Sequence, residues 1–273
     1  MVSGRLELDR VSDLIRSVAA EEIMPRWRNL KRHEIHEKGP GDQVTDADLA
    51  TERRLTEGLA ALIPGSLVVG EEAVAADEAI LGHLNDPGAV WIIDPVDGTA
   101  NFARGTDVFC VMVALVKAGE TVAAWIYLPV DDQMALAERG SGAVLDGVPF
   151  EPSAETDPHR MRGSVHVRYM PKEKGRFVRP RLSSFRSNKE FYCAGHTYVH
   201  MARGDLDHAL FWRTKCWDHA MGALIVTEAG GRVAFLDNTP YRPDIKGRTG
   251  LLATAQDETW LMVRDILWDG APA

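Results

Sequence analysis

A change in the pattern of apolar residues near residue 152 is the feature that most constrains the fold of this chain. Before it, four short β-rich runs follow one another between turns such as Ala118-Gly119-Glu120, and they span 108–117, 121–128, 133–138 and 142–150. Such spacing is typical of an antiparallel meander. After it the pattern indicates βα alternation, with helices near 194–203, 218–229 and 258–268 and strands near 207–212, 232–236 and 250–254. We therefore expect a helix-plus-antiparallel-sheet subdomain over residues 1–152 and an α/β subdomain over residues 153–273.

The part of the chain before the meander combines helices with short strands. Apolar residues at helical spacing predict an amphipathic helix over 10–23 and a second helix over 46–62. The short apolar runs 67–69 and 90–93 are interpreted as strands, and Asp94-Pro95 is expected to stop the second. Both strands lead directly into carboxylates.

Composition excludes several classes of protein. Hydrophobic residues make up 45% of the chain and charged residues 26%, which argues against intrinsic disorder and low-complexity structure. The longest apolar run, 110–116, is much shorter than the roughly 20 residues that a membrane span needs. Charged residues interrupt 1–23, so no signal peptide is expected. We expect a cytoplasmic protein that does not contact membranes.

The three cysteines are Cys110, Cys193 and Cys216. They are far apart in the sequence, odd in number and without CxxC spacing. This pattern predicts buried free thiols and argues against a disulfide framework or a zinc knuckle.

One segment has an unusual charge. Between Arg160 and Lys189 there are ten basic residues and a single acid, Glu173, so the segment carries +9 within a chain of net charge −9. It is interpreted as a solvated basic face, with two alternatives: steering of small anionic substrates, or contact with nucleic acid. An RNA- or polymerase-binding regulatory protein using residues 160–189 is thus a second functional hypothesis, which the negative total charge disfavours.

Five carboxylates lie at strand ends or at the start of a helix: Glu71, Glu72, Asp94, Asp97 and Asp218. In Asp94-Pro95-Val96-Asp97-Gly98-Thr99 a strand delivers Asp94, and the following turn brings Asp97 towards the same point. Gly98 permits a tight turn. If a helix begins near Thr99, the amides of Gly98 and Thr99 form an anion site that fits a phosphate.

Clustered carboxylates repel one another, and burying them without cations is unfavourable. Oxygen ligands without histidine or cysteine select Mg²⁺ or Mn²⁺. Two such ions sharing one carboxylate can act on both the attacking and the leaving oxygen of a phosphoryl transfer. The alternative is that these acids only cap turns and helices, with Asp218 as the N-cap of a helix that runs through Glu228.

Together these motifs resemble the inositol monophosphatase family in content, order and spacing, over nearly the whole chain. They are Gly70-Glu71-Glu72, Asp94-Pro95-Val96-Asp97-Gly98-Thr99-Ala100-Asn101-Phe102, Trp217-Asp218-His219-Ala220 and Glu228-Ala229-Gly230-Gly231. The resemblance implies a layered αβαβα sandwich of the α+β or α/β class. It also implies a Mg²⁺-dependent, lithium-sensitive phosphomonoesterase that forms homodimers and binds a small phosphorylated substrate.

The resemblance also implies a role for each site residue. The first Mg²⁺ would be held by Glu71, Asp94 and the carbonyl of Val96, the second by Asp94, Asp97 and Asp218, and a third more weakly beside Glu71; Mn²⁺ is a substitute. The nucleophile would be a metal-activated water oriented by Glu71 and by Thr99, whose hydroxyl pairs with Asp48. The segment 38–41 would be a mobile loop over the metals. Gly98 and Thr99 would bind phosphate, and Asp97 and Asp218 a substrate hydroxyl.

The substrate side departs from the inositol-specific pattern. Family members that act on inositol carry a glutamate seven residues before the aspartate of the Trp-Asp motif, where this chain has Phe211, followed by Trp212-Arg213. Ala194 is the other expected substrate contact. The substrate is expected to be inositol 1-phosphate or a related polyol or sugar phosphate. Histidinol phosphate, a 3′-phosphonucleotide and fructose 1,6-bisphosphate stay open as alternatives.

Overall fold

The computed structural model describes residues 5–39 and 42–272 of the chain. Its helices are α1 Arg5–Val18, which continues as a π-helical turn over Ala19–Ile23, α2 Asp46–Leu62, α3 Glu71–Ala76, α4 Thr99–Ala103, α5 Lys172–Val178, α6 Ala194–Ala202, α7 Cys216–Glu228 and α8 Trp260–Trp268. Short 3₁₀ turns connect several of them, the longest over Glu78–Asn85. No helix in these described ranges is both long and apolar enough to span a membrane.

The strands form two large sheets and one small one. They are β1 Ile35–Gly39, β2 Asp42–Thr45, β3 Leu67–Gly70, β4 Ala89–Asp97, β5 Cys110–Lys117, β6 Glu120–Leu128, β7 Gln133–Glu138, β8 Gly142–Leu145, β9 Val148–Pro149, β10 Arg162–Val165, β11 Ser187–Asn188, β12 His208–Phe211, β13 Arg232–Phe235 and β14 Leu251–Thr254. The seven-stranded sheet has the order β3-β4-β5-β6-β7-β8-β9, and the five-stranded sheet has the order β11-β10-β12-β14-β13. Strands β1 and β2 form a separate antiparallel pair.

Successive residues of β4 show how the layers are built. Trp91 and Ile93 pack with α1 and α2 on one face of the seven-stranded sheet, whereas Val90 and Ile92 on the other face join a core that contains α6, α7 and one face of the five-stranded sheet. The opposite face of that sheet packs against α8. The order helix, sheet, helix, sheet, helix confirms the expected αβαβα sandwich.

Most of the expected elements are present. The second helix has the expected bounds, 46–62, and the meander is antiparallel from β4 through β9. The first helix begins earlier than expected, at Arg5, and Leu8 is buried with the rest of its apolar face. The division into subdomains at residue 152 stays a prediction.

One expectation about the strand before the carboxylates is wrong. Asp94-Pro95 does not stop β4, which continues to Asp97. The pairing of β4 with β5 shifts register between Asp94 and Asp97, and at such an irregularity the amide hydrogen that proline lacks is not required. The strand therefore carries both carboxylates.

Candidate active site

The acids that were expected to bind metal line a single cavity of about 730 Å³. They are Glu71, Asp94, Asp97 and Asp218, and Val96, Gly98 and Thr99 line the same cavity. Glu71 follows β3, which pairs in parallel with β4 so that Gly70 lies opposite Ile93. Because the carboxyl ends of two parallel strands meet at one edge of a sheet, acids distant in the sequence converge there.

Asp218 reaches this cavity from α7, a helix in the layer between the two large sheets. It lies in the first turn of α7, which begins at Cys216 with Lys215 as its N-cap. The alternative interpretation of Asp218 as a helix N-cap is therefore wrong.

Asp94 is the most deeply placed acid of the cluster. Its side chain is buried, and its Oδ1 has no hydrogen-bond partner among the described residues. Burial, and then the nearby carboxylates of Glu71, Asp97, Asp218 and Asp48, raise the pKa of Asp94 well above its usual value. Such a group is stable as an anion only with a cation beside it.

A lysine supplies positive charge to the edge of this cluster. Lys38 Nζ lies 2.9 Å from Glu71 Oε1 and 2.7 Å from Glu72 Oε1. Burial lowers the pKa of Lys38, but these two carboxylates outweigh it and raise the pKa overall. Lys38 and Gly39, the first half of the expected mobile loop, belong to β1, and Pro40 and Gly41 lie outside the described residues.

The donor set fits a hard divalent cation. The side chains around Asp94 offer carboxylate oxygens, and Val96, whose carbonyl is a further oxygen donor, lines the same cavity. Mg²⁺ and Mn²⁺ prefer such oxygen donors. The four acids do not bring three ligand atoms within 4.8 Å of one another. In the described chain, the group that does so is Asp97, Cys110 and Cys193. Repulsion between like charges accounts for the wider spacing.

Thr99 and Asp48 form the expected hydrogen bond. Thr99 Oγ1 lies 3.1 Å from Asp48 Oδ1 and 2.9 Å from the Val96 carbonyl oxygen, and its single proton is donated to one of them at a time. Asp48 Oδ2 accepts the amide and the hydroxyl of Thr45 at 2.8 and 2.5 Å. Burial raises the pKa of Asp48 to about 7, against these hydrogen bonds. The catalytic role of the pair stays a prediction.

The turn between β4 and α4 depends on a glycine. Gly98 is the N-cap of α4 and adopts φ 86°, and a Cβ there would lie 2.9 Å from the carbonyl oxygen of Val108. Only glycine fits this conformation and this space without strain. The amides of Gly98 and Thr99 stay the predicted phosphate ligands.

The substrate side of the cavity is aromatic. A smaller adjoining cavity of about 140 Å³ is lined by Asp97, His166, Tyr169, Tyr192, Cys193, Ala194, Phe211, Trp212, Arg213, Asp218 and His219. The buried ring of Phe211 lies 5.2 Å from that of His166 and 4.8 Å from that of His219. Burial lowers the pKa of both histidines to about 4, so both are neutral near pH 7.

A cation stands at the mouth of this aromatic wall. The guanidinium of Arg213 lies 4.5 Å from the centre of the Tyr169 ring. Arg213 is exposed, and within the described ranges no carboxylate forms a salt bridge with it. Its charge is thus available to a ligand.

Sequence reasoning missed part of this wall. His166 and Tyr169 lie within the basic segment 160–189, but they carry no motif and are not among its ten basic residues. The contact between Cys110 and Cys193, with their Sγ atoms 3.7 Å apart, had no signal in a sequence where 83 residues separate them. All three cysteines are buried free thiols, as expected.

The basic segment 160–189 is partly used by the fold. Arg162 forms a salt bridge with the buried Asp207, and Lys174 lies over the ring of Trp212. Others, including Arg176 and Arg179, are exposed. The interpretations of this segment as a solvated face, a steering surface or a nucleic-acid contact stay predictions.

Carboxylates from the end of β4, from the start of α3 and from α7 line one cavity of an αβαβα sandwich, an arrangement typical of metal-dependent phosphatases. The model of the Inositol monophosphatase family matches residues 7–266, and the chain belongs to this family. It is a phosphomonoesterase by that membership.

Relatives and solved structures agree with this assignment. The chain is 33% identical to an inositol monophosphatase of Dictyostelium discoideum over 81% of each chain. It is 28% identical to a fructose-1,6-bisphosphatase/inositol-1-monophosphatase of Thermotoga maritima over 83% of each chain. The solved structure of a Thermotoga maritima IMPase superposes with a TM-score of 0.80 at 26% identity, covering 95% of this chain and 97% of that one.

Proposed function

We propose that this protein hydrolyses a small phosphate monoester with Mg²⁺, and that its substrate carries a second anionic group. The observation that carries the first part is the convergence of four acids, Glu71, Asp94, Asp97 and Asp218, on one cavity. Among the residues that the structure describes, the buried Oδ1 of Asp94 has no hydrogen-bond partner. Such an arrangement of acids is unfavourable by itself and favourable around divalent cations.

Two to three cations are proposed, with Mn²⁺ as a substitute. Glu71, Asp94 and the Val96 carbonyl would hold one, and Asp94, Asp97 and Asp218 another. Bound there, Mg²⁺ would lower the pKa of water and stabilise negative charge on phosphate oxygens.

The chain's own groups position the attacking water. Because Thr99 Oγ1 donates its proton to Asp48 or to the Val96 carbonyl, an oxygen lone pair of Thr99 is left to accept a hydrogen bond from water. Glu71 provides a second acceptor. Together they would orient a water oxygen towards phosphorus. As the new P–O bond forms, the water proton would pass to Glu71, or to Thr99 while the hydroxyl proton of Thr99 passes to Asp48.

Other groups act on the phosphate and on the leaving group. The amides of Gly98 and Thr99 would bind phosphate oxygens. As the ester P–O bond breaks, a water held near Asp218 would donate a proton to the leaving alkoxide. Positioning and electrostatic stabilisation then account for most of the acceleration.

The wall around Phe211 supports the choice of substrate. Phe211 offers no acceptor for a polyol hydroxyl, and the neutral rings of His166 and His219 beside it provide an apolar surface. The guanidinium of Arg213, which has no salt-bridge partner in the described part of the chain, is suited to a carboxylate or a second phosphate. A bisphosphorylated sugar or nucleotide fits this combination better than inositol 1-phosphate.

Phosphate release from a panel of esters tests both parts. The panel contains inositol 1-phosphate, histidinol phosphate, fructose 1,6-bisphosphate and a nucleoside 3′,5′-bisphosphate, each with Mg²⁺ and with EDTA. We expect phosphate release with Mg²⁺ and none with EDTA, and the highest kcat/KM for a bisphosphate. Inositol 1-phosphate as the best substrate would overturn the substrate assignment, and release from none of the esters would overturn the phosphatase itself.

A homodimer and inhibition by Li⁺ complete the proposal. Sedimentation should give a particle of twice the chain mass of 30.1 kDa. Lithium chloride should inhibit phosphate release where equal sodium chloride does not, and equal rates in the two salts would contradict lithium sensitivity.

A further inference from the structure

Two thiols meet beside Asp97, although they lie far apart in the chain. Cys110 is the first residue of β5, and Cys193 directly precedes α6. Their Sγ atoms are 3.7 Å apart, and both side chains are fully buried. The pair therefore links the seven-stranded sheet to the helix that carries part of the substrate wall.

Both thiols contact the same carboxylate oxygen. Asp97 Oδ2 accepts hydrogen bonds from the Gly195 amide at 2.6 Å, from Cys193 Sγ at 3.0 Å and from Cys110 Sγ at 3.5 Å. Three donors around one oxygen fix the orientation of the carboxylate. Oδ2 is thus engaged by the protein, and Oδ1 is the oxygen left to bind a cation.

The two thiols differ in their access to small molecules. Cys193 lines the 140 Å³ cavity next to Asp97 and Ala194. Cys110 does not line this cavity and contacts Cys193 on the side away from it. Cys216, the third cysteine, lines neither this cavity nor the larger one. A small oxidant that enters the substrate cavity therefore meets Cys193 first.

We propose that Cys110 and Cys193 form an oxidisable dithiol that positions Asp97 for cation binding, and that joining them in a disulfide weakens this binding. The proposal rests on the proposed function in one respect, the role of Asp97 as a cation ligand. Both cysteines are positioning residues, since they act through the carboxylate.

A peroxide is the oxidant class that fits the small cavity. Hydrogen peroxide transfers an oxygen atom to the sulfur of Cys193; the O–O bond breaks, a sulfenic acid forms and one water leaves. The sulfur of Cys110 then displaces the sulfenic hydroxyl, the S–S bond forms and a second water leaves. Two S–H bonds are lost, the thiols give up two electrons, and the peroxide is reduced to two waters.

The disulfide changes the surroundings of Asp97 in two ways. An S–S bond of about 2.05 Å requires the two sulfur atoms, now 3.7 Å apart, to approach each other. It also removes both S–H donors, so that only the Gly195 amide still holds Oδ2. Loss of such supporting contacts lowers metal affinity by about 10- to 100-fold.

The experiment compares reduced and peroxide-treated protein without any substrate. Mn²⁺ binding is followed by the electron paramagnetic resonance signal of free Mn²⁺, and peptide mapping identifies the cross-linked cysteines. We expect a Cys110–Cys193 disulfide after treatment, a dissociation constant for Mn²⁺ raised about 10-fold, and recovery with dithiothreitol.

Matched variants separate positioning from oxidation. Cys193→Ala removes one donor and should weaken Mn²⁺ binding in the reduced protein, whereas Cys193→Ser keeps a donor and should restore it while abolishing the response to peroxide. Cys216→Ser keeps the pair and should respond to peroxide as the wild type does. Thermal melts of each variant check that the fold is retained.

Two results would overturn the proposal. Peroxide treatment that yields no Cys110–Cys193 cross-link would contradict the dithiol, and a cross-linked protein with unchanged Mn²⁺ affinity would contradict the positioning of Asp97. Failure of the proposed function looks different: reduced wild-type protein would then bind no Mn²⁺ even though the cross-link forms, and the positioning role would be rejected with it.

Discussion

The two walls of the active-site cavity bury ionisable groups in opposite ways. Behind the wall from the first part of the chain, Glu52 accepts the amides of Glu72 and Ala73. Burial raises the pKa of Glu52, and that of Asp48 beside Thr99, to about 7. The wall from the second part buries imidazoles, and burial lowers the pKa of His166 and His219 to about 4. Desolvation penalises the charged form in both cases. A cation can offset this penalty for the acids, whereas the two histidines avoid it by staying neutral.

The difference also sets opposite dependences of stability on pH. A raised acid pKa contributes stability that is present below the unfolded value and is lost as pH rises through about 7. A lowered histidine pKa contributes stability that is present above about 6.5 and is lost as pH falls towards 4. The acidic wall thus needs its cation most at neutral pH, where the proposed chemistry takes place.

The largest expected effect comes from breaking the acidic wall at its centre. Asp94→Asn removes the carboxylate that both proposed cation sites share, and we expect kcat/KM with Mg²⁺ to fall by about 1,000-fold or more. The same change removes a buried carboxyl group whose ionisation four neighbouring acids oppose, so the melting temperature of the protein in EDTA should rise. Steady-state kinetics and thermal melts measure the two effects.

Opposite movement of activity and metal-free stability is the signature to look for. Substantial Mg²⁺-dependent turnover in a correctly folded Asp94→Asn variant would contradict the ligand assignment. A lowered melting temperature in EDTA would contradict the view that the acids repel one another.

The next largest effect concerns the hydroxyl that orients water. Thr99→Ala should reduce kcat by about 100-fold, because the hydrogen bond between Thr99 and Asp48 can no longer direct a lone pair to the nucleophile. Thr99→Ser keeps the hydroxyl and should retain most of the activity. Single-turnover rates with saturating Mg²⁺ measure the chemical step, and equal rates for the alanine and serine variants would remove Thr99 from the mechanism.

The aromatic wall should respond in substrate choice rather than in chemistry. Arg213→Ala removes the cation over Tyr169 and should lower kcat/KM for a bisphosphate about 10-fold, with a smaller change for a monophosphate. Arg213→Lys keeps the charge but loses the planar guanidinium, so its kcat/KM for a bisphosphate should lie between those of the wild type and of Arg213→Ala. A panel of mono- and bisphosphates measures the ratio, and equal losses for both classes would show that Arg213 does not read a second anion.

The acidic wall was largely predictable from the sequence, because its chemistry is concentrated in a contiguous motif. Asp94, Asp97, Gly98 and Thr99 lie within six residues, so one strand and one turn place them together. Asp218 required the resemblance to a family, since only tertiary structure brings α7 to this edge.

The other wall was less predictable, because it is assembled from short and weakly patterned elements. The strand β10, Arg162-Gly163-Ser164-Val165, has almost no apolar alternation and forms through its parallel pairing with β12. His166 directly follows it, so its position could not be inferred before the strand was known. The thiol contact near Asp97 likewise depends on two segments that meet only in the folded chain.

The smallest expected effect concerns a buried histidine away from the cavity, and it tests whether burial of a neutral imidazole makes the fold sensitive to acid. His208 is fully buried in β12, neither ring nitrogen has a hydrogen-bond partner in the described chain, and burial lowers its pKa to about 4. Between that value and about 6.5 the unfolded chain binds more protons at this histidine than the folded one, so acid weakens the fold. His208→Leu removes this dependence, and we expect the loss of unfolding free energy between pH 7 and 5.5 to shrink by about 1 kcal/mol. Urea unfolding at both pH values measures it, with His159→Leu at an exposed position as the control that should keep the wild-type difference. If His208→Leu loses as much unfolding free energy between pH 7 and 5.5 as the wild type does, burial of this imidazole does not weaken the fold in acid.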